Sequence, residues 1–437
     1  MQRYNFFLNY NTLPYFFSKT RQQFRRQHLE KNVFRTKSAL KFAKEIKNPN
    51  FVLNFITKLE IMKALHFGAG KIGRGFIGAL LSQSGYDTLF ADAQQQVVDA
   101  INRDGGYTIH LVGDQSTTQR IDGISAIIAS SDAAVEAVVC ADIITTAVSM
   151  TYLPDVAKVI AKGLDKRHTT GETKPLNIFC CENGIRATSH LRTLVAELTN
   201  LDVVGKNVGF VDCCVDRIVP IITMENPLDV AVEPDFEWCI DRTAIVGELP
   251  NLPDAHFVDD IDAYISRKLF TLNTAHCSTA YLGAHKGYKY IHEAICDEQI
   301  REIVAGIMHE SGSALVRKFS LSMEEQKAYA NKILTRFANA HLGDTTSRVA
   351  HDPKRKLSPK LYFSYPISMA LQHGIEVNHL ATAAAAALAY RSADDAQSQE
   401  LADMIAQNGV ANTVREVCQI EDNRIIELIA ERYNKFQ

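Results

Sequence analysis

Lys268, Asn273 and His276 stand within RKLFTLNTAHCSTAYLG (267–283), a stretch otherwise dominated by small and apolar residues. A lysine whose pKa is lowered by burial can take a hydroxyl proton near neutral pH. Amide groups can donate to the alkoxide that develops as hydride leaves. A histidine can orient the reacting oxygen. Projected at about 100° per residue, Lys268, His276 and Asn273 fall near roughly 0°, 80° and 140° on a helix, one broad face. Asn183, in CENG (181–184), is the candidate second amide. The plainer alternatives are a packed helix with no chemistry, and an Asn183 that only caps the turn after it.

Such a base needs a hydride acceptor, and the sequence upstream supplies a place for one. KALHFGAGKIGRGFIGALLSQSGYDTLFAD (63–92) reads as strand, glycine turn, helix and second strand. Gly68, Gly70 and Gly73 form G-x-G-x-x-G. The first glycine permits the tight turn, the second lets backbone approach a pyrophosphate, and the third lets helix and strand pack closely. The helix N-terminus offers free N–H groups to the phosphates, and Arg74 is expected to add charge there. Asp92 closes the second strand, 19 residues after Gly73, where a carboxylate bonds ribose hydroxyls and repels a 2′-phosphate, favouring NAD over NADP. The expected cofactor-binding set is Ala64, Leu65, His66, Phe67, Gly68, Ala69, Gly70, Lys71, Ile72, Gly73, Arg74, Gly75, Asp92 and Thr146.

Alternation of strands and helices continues to about Pro220. YTIHLVG and ISAIIAS read as the strands of an inserted hairpin, DAAVEAVVC as a short helix, and ADIITTAVS as a buried strand ending in small groups suited to pass under a cofactor. Residues 152–165 and 188–199 read as helices, LNIFCCENG and NVGFVDCCVDRIVP each as a strand. This order implies an α/β, Rossmann-type, doubly wound parallel sheet, with ligands beyond the strand C-terminal ends. Glu182, Asn183, Gly184 and the Asp212–Arg217 region would then lie near the nicotinamide, with Asp216 and Arg217 a candidate ion pair. GELPNLPDAHFVDDIDAY reads as a linker, and from about Asp260 a helical period dominates. TSRVAHDPKRKLSPKLYFSYP interrupts it with two internal prolines and a basic cluster: a solvated loop, or one that grips an anionic substrate. The expected units are residues 1–61 as a basic extension outside the fold, 62–255 as the NAD-binding domain, and 256–437 as a mostly α-helical substrate and catalytic domain.

Composition narrows the class. The 437 residues are 46% hydrophobic and carry a net charge of -3, with no apolar run long enough to span a membrane. Residues 1–61 hold twelve Lys/Arg, three Glu and no Asp, leaving 35 basic against 47 acidic residues beyond them. An acidic body speaks against nucleic-acid binding. The basic leader lacks a secretory pattern. An organelle transit peptide, a regulatory segment and a fold that simply starts at Met62 are its three readings. Nine cysteines include no C-x-x-C pair and no zinc spacing, so no metal is expected, and the thiols read as reduced in a cytoplasmic protein. Neighbours such as Cys180 and Cys181 would pack on opposite faces of a strand.

K-x-x-x-x-N-x-x-H, filled by Lys268, Asn273 and His276, resembles the active-site pattern of the polyol-specific long-chain dehydrogenases, the mannitol dehydrogenase family. MKALHFGAGKIGRGFIG, CENG, VDRIVP and DPKRKLSP are also similar to blocks of that family, and the resemblance runs from Met62 to the C-terminus. It implies a Rossmann domain followed by a helical domain, NAD as cofactor, no zinc, and Lys268 as base with Asn183 and Asn273 on the alkoxide. It further implies His276 at the reacting hydroxyl and Arg348, His351 and Lys356 along the polyol chain. Arg355 and Lys360 are nearby candidates for a phosphate, because Arg forks match its oxygens. The implied reaction interconverts mannitol 1-phosphate and fructose 6-phosphate. Other members act on mannitol or hexuronates, and an NAD-binding protein without activity is the remote alternative. The expected partner is a small sugar phosphate, in a monomer or small homo-oligomer.

Overall fold

The computed structural model describes residues 62–113, 116–220 and 222–437; the expectations about residues 1–61 lie outside the described residues. A six-stranded sheet, all parallel, forms from β1 (Lys63–Phe67), β2 (Asp87–Asp92), β5 (Ser125–Ile128), β6 (Ile143–Thr146), β7 (Leu176–Cys180) and β8 (Val208–Phe210). Its order is β5-β2-β1-β6-β7-β8, the doubly wound order that reverses between β1 and β6. β6 and β7 are buried along their whole length, as continuous apolar strands covered on both faces should be. Cys180 enters the core on one side of the sheet and Cys181 the core on the other, as strand alternation requires.

Three readings change in this part of the chain. The hairpin consists of β3 (Gly106–Leu111) and β4 (Thr117–Asp122), with β10 (Val230–Val232) beside β3. ISAIIAS instead supplies β5, the edge of the main sheet, because it runs parallel to β2. NVGFVDCCVDRIVP makes two strands, not one: β8 ends the main sheet, and β9 (Cys213–Asp216) starts another with β11 (Glu237–Asp241) and β12 (His256–Val258). β12 lies inside the stretch that reads as a linker, so sheet structure continues to Val258, just past the expected domain boundary.

Helices dominate from Ile261 onward around a single apolar core. The helix Asn378–Ala389 is buried along most of its length, where its alanines allow neighbouring helices close approach. The basic interruption is not a loop: it holds the short helices Thr346–Ala350 and Pro353–Leu357 and then the helix Ser364–Gln372. Pro353 sits at a helix start, where its missing N–H costs nothing.

One buried ion cluster ties the two parts together. Arg336, in the helix Met323–Phe337, binds Asp216 at 2.6 Å and Glu233 at 2.6 Å, all three almost wholly enclosed. Asp216 therefore pairs with Arg336 and not with its sequence neighbour Arg217. The Arg217 guanidinium donates to the carbonyls of Glu233 and Gly75 and lies over Phe236. Removing one member of a buried cluster typically costs about 3–5 kcal/mol, so these groups fix how the helical part meets the sheets.

Candidate active site

The glycine turn follows β1 and begins a helix that winds through a π segment, Gly73–Ile77, before continuing as Gly78–Gln83. Gly68 adopts φ +96°, and a Cβ there would sit 2.4 Å from the Ala147 carbonyl oxygen. A Cβ on Gly73 would lie 1.9 Å from the Gly68 carbonyl oxygen. A Cβ on Gly70 would meet nothing within 4 Å, so that residue faces open space. A cradle closed at 68 and 73 and open at 70, at the start of a helix, fits a dinucleotide pyrophosphate. The Asp92 carboxylate accepts from the Ala69 and Gln94 amides, at 2.7 and 2.9 Å, and so holds the turn.

Other members of the expected cofactor set have different work. Ala64, Leu65 and Phe67 are fully packed into the sheet cores. His66 is buried beneath the turn, its Nδ1 2.6 Å from Thr145 Oγ1, and burial pulls its pKa down to about 3. The expectation that Arg74 adds charge toward the phosphates is corrected. Its guanidinium turns inward to the carbonyls of Leu228, Pro227 and Ala69, because a buried cation at that position must spend its donors on backbone oxygens. Lys71 and Ile72 remain exposed at the turn, and Gly75 packs against Val232. Thr146 donates to the buried Glu182 at 2.6 Å.

Lys268 follows the helix Ile261–Arg267, whose first turn is capped by Asp260. From Lys268 to Asn273 the winding is π, and the Thr274 amide reaches back to the Leu269 carbonyl. That i→i+5 ladder narrows the angle between Lys268 and Asn273 below the one that a projection at about 100° per residue implies. Lys268 Nζ donates to Asn183 Oδ1 at 3.2 Å. The two share a cleft of about 180 Å³ with Glu182, Cys213, Cys214, Arg355 and Tyr362. Tyr362 is half-buried, and its burial pushes its pKa up, against hydrogen bonds with Arg355 and Asn273 that favour the phenolate. Tyr362 thus connects Asn273 to the cleft, a link that an isolated tyrosine in sequence does not signal.

His276 sits apart from that lining. Its Nε2 is 2.8 Å from Asp344, its ring stacks on Phe337 at 4.8 Å, and it borders a separate small cavity with His292 and Asn339. Asp344 was not foreseen; it lies 68 residues away, and no local spacing couples the two.

Residues 62–254 match the mannitol dehydrogenase Rossmann domain and residues 260–437 the mannitol dehydrogenase C-terminal domain. The chain belongs to the mannitol dehydrogenase family. Its fold is similar to that of Pseudomonas fluorescens mannitol 2-dehydrogenase, solved as a ternary complex with NAD and D-mannitol. That match has a TM-score of 0.68 at 17% identity, covering 86% of this chain and 92% of that one. It is also similar to a D-sorbitol dehydrogenase in substrate-free form, with a TM-score of 0.72 at 14% identity, covering 85% and 93%.

In this member of the mannitol dehydrogenase family the basic residues of 348–360 disperse. Arg355 alone among the five candidates lines the cleft. Arg348 forks onto Asp344 Oδ1, and His351 lies 3.0 Å from Asp352. Lys356 is buried, donates to the Val349 carbonyl and lies over the Tyr281 ring, and burial lowers its pKa. Lys360 is exposed outside the cleft lining. His351, Asp352 and Asp395 approach closely enough to share a cation, yet the Asp395 oxygens already accept from the amides of Asp352, Gln397 and Ser398. No helix of the described residues is long and apolar enough to cross a membrane.

Proposed function

We propose that this member of the mannitol dehydrogenase family is an NAD-dependent mannitol-1-phosphate 5-dehydrogenase, interconverting D-mannitol 1-phosphate and D-fructose 6-phosphate. The observation that carries the reading is one cleft holding Lys268, Asn183 and Arg355 beside a dinucleotide cradle. In the oxidising direction Lys268 takes the proton of the substrate hydroxyl. NAD held at the Gly68–Gly70–Gly73 turn would supply the hydride acceptor. Asn183 Oδ1 is engaged by Lys268, so its Nδ2 group is left to donate to the oxygen as it gains charge. Asn273, in the same π-wound segment as Lys268 and bonded to Tyr362 of the cleft, supplies the second amide. His276 is assigned to a substrate hydroxyl through Nδ1, its Nε2 being committed to Asp344, which requires the substrate to reach past the cleft lining to the small cavity that His276 borders. In reduction Lys268 returns the proton. The Arg355 fork suits phosphate oxygens at the far end of the chain.

The test is NADH oxidation with fructose 6-phosphate and, separately, with fructose. The expected result is turnover with the phosphate ester alone, and an Arg355→Ala variant whose KM for it rises about tenfold or more while fructose turnover stays absent. Turnover with fructose alone would make the protein a mannitol 2-dehydrogenase. Silence with both would move the substrate to the hexuronates.

A further inference from the structure

Glu182 is a carboxylate enclosed at the cleft that it shares with Lys268 and Arg355. It is 7% exposed, and among the described residues it forms no ion pair. Its oxygens are met by dipoles instead. Oε1 accepts from Thr146 Oγ1 at 2.6 Å and from the Val148 amide at 2.9 Å, and Oε2 accepts from the Ser149 amide at 2.8 Å. Both oxygens face amide hydrogens, which can only donate, so the arrangement is that of an ionised carboxylate.

Its position adds meaning to the charge. The 146–149 loop that Glu182 holds follows β6 and presses on the glycine turn, where the Ala147 carbonyl oxygen closes the space beside Gly68. Glu182 follows β7 and precedes Asn183, which accepts from Lys268. A fixed negative charge therefore stands between the pyrophosphate cradle and the base, one strand beyond the point where the sheet order reverses. Resting on the reading that the reacting carbon sits at Lys268, the nicotinamide ring has to lie along this path.

We propose that Glu182 is the counter-charge of the oxidised nicotinamide ring, so that this chain binds NAD+ in preference to NADH by the electrostatics of one carboxylate. The ring is a cation when oxidised and neutral when reduced. A carboxylate a few ångströms away in a partly enclosed site attracts only the first. At an effective permittivity near 20 such a contact is worth about tenfold or more in relative affinity. A purely structural role in pinning the 146–149 loop would affect the two forms alike.

The experiment is a pair of equilibrium titrations of the purified protein with NAD+ and NADH, for the wild type, Glu182→Gln and Glu182→Asp. The ratio Kd(NAD+)/Kd(NADH) is expected to rise about tenfold in Glu182→Gln and to return most of the way in Glu182→Asp. An unchanged ratio, whatever happens to the two constants together, overturns the proposal. Should Glu182→Gln not fold, wild-type protein is titrated with benzamide adenine dinucleotide, whose ring has the same size and no charge. NAD+ is expected to bind about tenfold tighter than this analogue, and equal binding overturns the proposal. If the wild type binds neither NAD+ nor NADH, the reading of the site falls with it. If both bind and the ratio does not move, only the role of Glu182 falls.

Discussion

The turn after β1 and the segment carrying Lys268 both leave α-helical winding for π winding, over Gly73–Ile77 and Lys268–Asn273. In the first, glycines explain the geometry. Gly73 and Gly78 stand at the two ends of an i→i+5 hydrogen bond, and a Cβ at Gly78 would strike the Phe90 ring at 2.4 Å. In the second there is neither glycine nor proline, and Phe270, Thr271 and Leu272 simply bury themselves in the helical part. The turn is shaped by what its residues lack. The Lys268–Asn273 segment is shaped by what surrounds it, and its widened turn narrows the angle between Lys268 and Asn273 relative to a regular helix. Widened turns of this kind recur at functional sites.

The largest expected effect breaks the catalytic side of the comparison. Lys268→Ala should lower polyol-phosphate oxidation at neutral pH by about 10³-fold, the scale of a lost general base, while NADH binding persists. Asn273→Ala should lower kcat by about 10²-fold with a smaller change in KM, as expected for a donor that acts on developing charge. Steady-state kinetics of both variants decide it. An Asn273→Ala enzyme with kcat unchanged would mean that the π turn serves packing and not chemistry.

The turn is tested by two alanines three residues apart. Gly73→Ala places a methyl on a backbone oxygen that has nowhere to go, and should cost on the order of 2–3 kcal/mol of stability. Gly70→Ala enters open space and should change stability by less than about 0.5 kcal/mol while weakening NADH binding clearly. Denaturant midpoints and a fluorescence titration separate the two. Equal destabilisation would show that the cradle at Gly70 is closed by something other than a ligand.

This contrast also explains how much could be read from the chain. The strand, the G-x-G-x-x-G turn and the parallel alternation are local patterns, and residues such as Gly68 and Gly73 state their constraint by their type. K-x-x-x-x-N-x-x-H picks out a segment whose Lys268 lines the cleft, but the angle between Lys268 and Asn273 follows from a hydrogen-bond pattern that no residue in it announces. Partners distant in sequence were the least legible. Asp344 for His276, Arg336 for Asp216 and three carbonyls for Arg74 are set by tertiary packing. The charge run of 348–360 misled in a simple way. Lysine and arginine look alike on a loop, yet Lys356 is carried into the core by its helix while Arg355, one residue earlier, lines the cleft.

The smallest effect sharpens the comparison beneath the turn. His66 is enclosed with its Nδ1 on Thr145, and burial holds its pKa at about 3, against an ordinary value of 6.5. The unfolded chain therefore binds a proton between those two values that the folded chain refuses. Stability from this residue is complete above about pH 6.5 and declines as the pH falls toward 3, by about 1.4 kcal/mol per unit. By pH 5 the loss should reach about 2 kcal/mol. His66→Gln, which has nothing to titrate, should start less stable at pH 7.5 and then lose less between pH 7 and pH 5 than the wild type does. Urea midpoints taken at each pH give both slopes. Parallel slopes would show that His66 takes up its proton without unfolding, and that the floor of the glycine turn is more accessible to water than its packing implies.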